Sequence, residues 1–188
     1  MKLFRSRLFL GVLLLISISV LASGRRRDPM TEAEADQIRE AAEKPQKRFH
    51  LFITFAKARL TAIDQLRADP KMAQGRGQQI HDLLEDFQAL VDETEVNLDD
   101  YREKKADLIK PLTELVEAES DWKLRLRALK EANAPDAKEY EFILQNAIET
   151  VNDSSDSARK ELEDIGGRVP KEKEKKKWIR RMSLPRPC

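Results

Sequence analysis

Apolar residues recur along this chain at alternating steps of four and three over its longest regular stretch. Ile80, Leu84, Phe87, Val91, Thr94, Leu98, Tyr101, Lys105 and Leu108 follow the rhythm, and seven of these nine are apolar or aromatic. Alternate steps of four and three keep one side of a helix towards a partner, so the stripe predicts a buried seam with coiled-coil-like packing. The rhythm passes Pro111 in phase and continues as Leu112, Leu115, Glu119, Trp122, Leu126 and Leu129. Proline costs ~3 kcal/mol inside a helix. A break or sharp kink is therefore expected between Lys104 and Pro111, with Pro111 in the first turn of a new helix, where its missing N–H costs nothing. One long helix kinked at Pro111 is the other reading.

Three further helices follow from the pattern. Thr31 and Glu34 have the spacing of a capping box, which starts a first helix that Pro45 ends near Lys44. Its apolar content is Ala33, Ala35, Ile38, Ala41 and Ala42, enough for a helix on the surface of a bundle. A second helix runs from Pro45 to Ala68 with two apolar lanes, Phe49, Phe52, Ala56, Leu60 and Ile63 beside Leu51, Phe55, Ala58, Ala62 and Leu66. So wide an apolar face predicts a central helix with several partners. Asp69-Pro70 stops it, and Gly75-Arg76-Gly77 makes a flexible turn. Asn133-Ala134-Pro135 is a stop and restart, after which a last helix extends from Pro135 to Ile165. Its inward positions are Tyr140, Leu144, Ala147, Val151, Ala158, Leu162 and Ile165, and Asn152 to Ser157 is a stretch of weak helix formers expected to fray or bend. Gly166-Gly167 closes it. No stretch alternates long enough to be a strand. The expected fold is all-α, an antiparallel bundle of four or five helices spanning residues 25–167.

The first 24 residues have a different character. Lys2, Arg5 and Arg7 precede a nearly unbroken apolar run from Leu8 to Leu21, and Ala22, Ser23 and Gly24 follow. Charge, apolar run and small residues in that order are what a signal peptidase reads, with cleavage after Ala22 or Gly24. Leu8 to Ala22 falls short of the ~20 residues that an untilted membrane-spanning helix needs. Against cleavage stands Arg25-Arg26-Arg27, because a positive block resists translocation and holds a segment in the membrane. An uncleaved anchor is therefore the alternative. Arg at position 25 excludes a lipoprotein cysteine there, and Ser6 separates the arginines that a twin-arginine signal would pair.

Charge divides the remainder sharply. Residues 28–167 hold 20 Lys+Arg against 32 Asp+Glu, whereas residues 168–188 hold 9 against 2. The basic end is expected to be a disordered tail. Seven of its cations lie between Lys171 and Arg181, with Trp178 and Ile179 among them. Lys173, Lys175, Lys176, Lys177, Trp178, Arg180 and Arg181 are the candidate contact residues. Cations around an aromatic suit an anionic membrane surface first and nucleic acid second. Cys188 is the only cysteine, so an internal disulfide is excluded.

Catalytic chemistry has little to stand on. His81 precedes Glu85 by four residues and both can face one side of a helix, but a metal site needs three or four converging ligands. An exposed histidine in a first helical turn is the simpler reading, and His50 reads as a packing edge of the second helix. Asp99-Asp100 and Asp92-Glu93 are carboxylate pairs expected on solvated faces. No strand-to-helix serine turn supports a hydrolase triad, and no cofactor motif is found. The sequence thus points to an exported, periplasmic or secreted, non-enzymatic helical scaffold or binding protein with a protein or envelope partner. An anchored version is the first alternative. A small-molecule carrier or enzyme is the second, and it requires a cavity beside Phe49, Phe52 and Phe55.

Overall fold

A computed structural model describes residues 28–166. The predicted signal segment, residues 1–24, and the predicted tail, residues 168–188, lie outside the described residues. The described chain is all-helical and bundle-like, and none of its helices is long and apolar enough to cross a membrane. The helices are α1 (Glu32–Glu40), α2 (Pro45–Ala68), α3 (Arg76–Glu103), α4 (Ile109–Glu131) and α5 (Glu141–Asp164), with single 3-10 turns at Pro70–Met72 and Ala137–Glu139.

Local chemistry explains most boundaries. Thr31 caps α1 through the Glu34 N–H, and the Glu34 carboxylate accepts from the Thr31 N–H in return. The same carboxylate receives both arms of the Arg59 guanidinium from α2, which holds the Glu34 carboxyl down at about 2. Only Ile38 of α1 is buried, with Ala41 just past its end, as a surface helix requires. α3 ends at Glu103 with Lys104 as its C-cap, and Lys105 adopts a left-handed φ of 55°. The Lys105 and Ala106 N–H groups then donate back to the Arg102 and Tyr101 carbonyls, a Schellman closure made without glycine. Lys105 is thus the residue that ends the seam, and its side chain is exposed. α4 starts at Ile109 with Pro111 in its first turn, so the chain breaks here and does not kink.

Three expectations about α5 need correction. It begins at Glu141, because the chain after Pro135 first makes the 3-10 turn Ala137–Glu139, and Ile165 is 41% exposed. Asn152 to Ser157 does not bend away: Ser154 and Ser155 are buried against α3 and α4, and tertiary packing overrides weak propensity. The turn before α3 also differs. Gly75, at φ 70°, is the only glycine of the pair in the turn, while Gly77 is buried in the first turn of α3. A Cβ at Gly77 would sit 2.9 Å from the Glu139 Cβ. Gly77→Ala should therefore lower the thermal midpoint although alanine is the better helix former by about 1 kcal/mol. A raised midpoint would show that the Ala137–Glu139 turn yields freely.

α2 packs on α3 and α4, and α5 packs on the same two helices, so α2–α5 and α3–α4 are the diagonals of the arrangement. Sequence neighbours are antiparallel, shown by Phe49 against Tyr101 in one hairpin and by Glu119–Ser154 and Lys130–Gln145 in the other. The hairpins meet in parallel pairs. His50 and Asp64 of α2 bond to Glu114 and Arg125 of α4, and Ser154 and Glu161 of α5 bond to Glu95 and Arg102 of α3. A plain antiparallel ring is thus replaced by two hairpins side by side, because the short connection at Lys104–Leu108 crosses the end of the bundle diagonally. Across the centre Phe87 meets Trp122 edge to face, with ring centroids 5.4 Å apart. The first apolar lane of α2 is buried throughout, whereas the second is buried only at Phe55 and Ala58 is exposed. Ile53, on the other flank of the first lane, is buried in its place.

Candidate functional site

The core contains one polar layer. It lies where α3, α4 and α5 converge, and it is built from positions that otherwise carry apolar side chains. Thr94 sits in the α3 seam, Glu119 in the α4 seam, and Ser154 fills the step between Val151 and Ala158 on α5. Thr94 is satisfied locally, its hydroxyl donating to the Leu90 carbonyl at 2.7 Å. Ser154 Oγ lies 2.5 Å from Glu95 Oε1 and 2.5 Å from Glu119 Oε1.

That geometry dictates a proton count. A hydroxyl has one proton to donate, so Ser154 cannot donate to two carboxylates at once. One carboxyl must be protonated and donate to Ser154 Oγ, while Ser154 donates to the other. Glu119 is fully buried, and burial pushes its carboxyl up to about 8. Glu95, half-buried, is also raised by burial. With the proton held on Glu119, the chain of donors runs from Glu119 to Ser154 to Glu95. Both distances, 2.5 Å, lie at the short end for O–H···O bonds. Glu119 Oε2 is buried and has no hydrogen-bond partner among the described residues.

Cations stand one turn away. Arg159 donates to Ser155 Oγ and Ser120 Oγ, and burial lowers Lys123. Beyond Glu95, Arg102 bonds to both Glu161 and Asp99. The layer can hold and exchange a proton between two carboxyls through a serine. Neither histidine belongs to it. His50 Nδ1 meets Glu114 Oε1 of α4 at 2.5 Å with its ring exposed, so it forms a polar bridge between helices and not a packing edge.

His81 is half-buried in the second turn of α3, not exposed in the first. Its Nδ1 lies 3.7 Å from Asp82 and 3.9 Å from Glu85, and one donor atom of each residue falls within 4.8 Å of the others. Asp82 is the ligand type that sequence spacing alone did not add. Three donors from little more than one helical turn fall short of a closed four-ligand shell, and among the described residues no other His, Cys, Asp or Glu joins the group. Asp99, Asp100, Asp92 and Glu93 are all exposed. Phe49, Phe52 and Phe55 are buried in the core cluster. Lys173, Lys175, Lys176, Lys177, Trp178, Arg180 and Arg181 lie outside the described residues, so the structure neither gathers nor separates them.

Sequence reasoning placed Glu119 in a seam without treating it as chemistry, and it passed over Ser154. The signal was present: a carboxylate and a hydroxyl at core positions of two helices. The chain matches no family model, no curated protein and no solved structure.

Proposed function

We propose that this protein is an exported, non-enzymatic helical scaffold or binding protein of the cell envelope, with its basic C-terminal segment as the contact element. One observation carries the proposal: Lys2 to Gly24 has the charge, apolar run and small residues of an export signal, placed ahead of a helical body. The division between an acidic body and a basic end supports the contact role. On this reading the α3 and α4 seams pack in coiled-coil fashion, and residues 168–188 form a disordered arm suited to an anionic membrane surface. An anchored form is the second reading, favoured by the positive block at Arg25 to Arg27.

The mass of the chain recovered from the cell envelope or medium separates the two. Loss of residues 1–22 or 1–24 is the expected result, and an intact chain in the membrane fraction would establish the anchor. The contact role is tested by sedimentation with anionic and neutral vesicles. The intact protein should sediment with anionic vesicles only, and less so at high salt, because exposed charges are screened within ~8 Å at physiological ionic strength. Removing residues 168–188 should abolish sedimentation and leave the melting temperature of the body unchanged. Trp178→Ala should weaken vesicle binding more than DNA binding, since a bilayer interface favours the indole ring. Equal sedimentation of intact and truncated protein would eliminate the contact role.

A further inference from the structure

α1 packs on α2 and the segment just after it reaches α3, while the α2–α3 groove is open further along. At one end Tyr101 of α3 donates to the Ala42 carbonyl. Further along α2, Arg59 donates to the Pro29 carbonyl and to Glu34. Followed backwards from Ala42 to Pro29, the chain therefore travels along α2 towards Ala62. Immediately past Arg59 the groove widens into an open hollow of about 480 Å³ whose lining includes apolar Leu66, Met72 and Leu83 and acidic Asp69, Asp82 and Asp86. Asp82 accepts from Gln78 Nε2 at 2.8 Å and stands near His81.

We propose that Arg25-Arg26-Arg27 docks in this hollow, so that the basic block just ahead of the first described residue continues the path of α1 along the α2–α3 groove. Reach permits it. Leu66 lies seven residues beyond Arg59, ~10 Å along a helix, and two to four extended residues beyond Pro29 span ~7–14 Å. Chemistry favours it as well. Three guanidinium groups face three carboxylates, and arginine stems cover apolar surface while their heads stay at the polar edge. The basic tail is the competing occupant, but α5 ends beside Arg102, at the opposite end of α3. Arg102 is twenty residues from Asp82, ~30 Å along the helix. Docking is open to a cleaved and to an anchored chain alike. In a cleaved chain the new terminus folds onto the body. In an anchored one, docking fixes the Asp69 end of the bundle next to the apolar segment.

Zero-length carbodiimide coupling tests this on the full chain carrying Arg25→Lys, Arg26→Lys and Arg27→Lys, which keeps the charge and supplies amines. The expected products join the introduced amines to Asp69, Asp82 or Asp86, and they diminish at high salt. Products joining Lys173 to Lys177 to those aspartates, or introduced amines coupled elsewhere or nowhere, would overturn the proposal. Trypsin gives a second measurement on the unsubstituted arginines. Asp69→Asn, Asp82→Asn and Asp86→Asn together should speed cleavage after Arg25 to Arg27 roughly tenfold, the combined effect of three exposed ion pairs. Cleavage between Lys171 and Arg181 in the same molecule is the internal control and should not change. Acceleration there instead would place the tail in the hollow.

Discussion

Replacing Phe87 with Ala should destabilise the protein by about 3–5 kcal/mol, the usual cost of deleting a fully buried aromatic. Phe87 has no exposed surface and stands at the centre of the bundle, where its ring meets Trp122 edge to face. That contact is one point at which the two diagonal helices α3 and α4 reach each other, their backbones being held apart by α2 and α5. The truncation therefore empties a volume that four helices share, and no single helix can shift inward to fill it without losing its other partners. Urea denaturation read by circular dichroism measures the change. Phe87→Leu, which retains most of the volume, should lose much less. An unchanged midpoint for Phe87→Ala would mean that the seam is not the core of the folded chain.

The seam was legible because apolar spacing is a direct record of burial. From Ile80 to Tyr101 and from Leu112 to Leu129 every position in the rhythm is buried, including the polar ones Thr94 and Glu119. The capping box at Thr31 and the break before Pro111 were legible for a similar reason: both depend on residues within a few positions of each other. What the sequence hid was pairing at a distance. Nothing in the local pattern tells α2 to run parallel to α4, an arrangement marked by Glu114 and Arg125 meeting His50 and Asp64 and set by how the two hairpins pack. The polar layer was hidden for the same reason. Ser154 reads as a poor helix former until α3 and α4 bring Glu95 and Glu119 to its hydroxyl. His81 likewise became half-buried through packing that its own helix does not reveal.

Stability should fall as pH rises through the range in which Glu119 ionises, and Glu119→Gln should remove much of that dependence. In the unfolded chain the Glu119 carboxyl titrates near its ordinary value of 4.5, whereas in the folded protein burial raises it to about 8. A group raised on folding contributes most below its unfolded value, and the contribution is lost as pH climbs through the folded one. Between pH 4.5 and 8 the folded protein holds a proton that the unfolded chain has released, so each step upward favours unfolding. The full loss is on the order of 4–5 kcal/mol, given ~1.4 kcal/mol for each unit of difference. The charges facing the group act in both directions. Glu95 from α3 opposes ionisation of Glu119, while Lys123 on α4 and Arg159 from α5 favour it. Further out, Asp156 faces Lys123, and Asp99, Arg102 and Glu161 face Glu95. Glutamine keeps a donor for Ser154 Oγ but has no charge to expose, so it copies the protonated acid. Below pH 5 the variant and the parent should agree to within about 1 kcal/mol, the typical net worth of one hydrogen bond. At pH 9 the variant should be the more stable. Denaturant midpoints taken from pH 5 to pH 9 provide the comparison, and parallel curves for the two proteins would show that the proton is not held at Glu119.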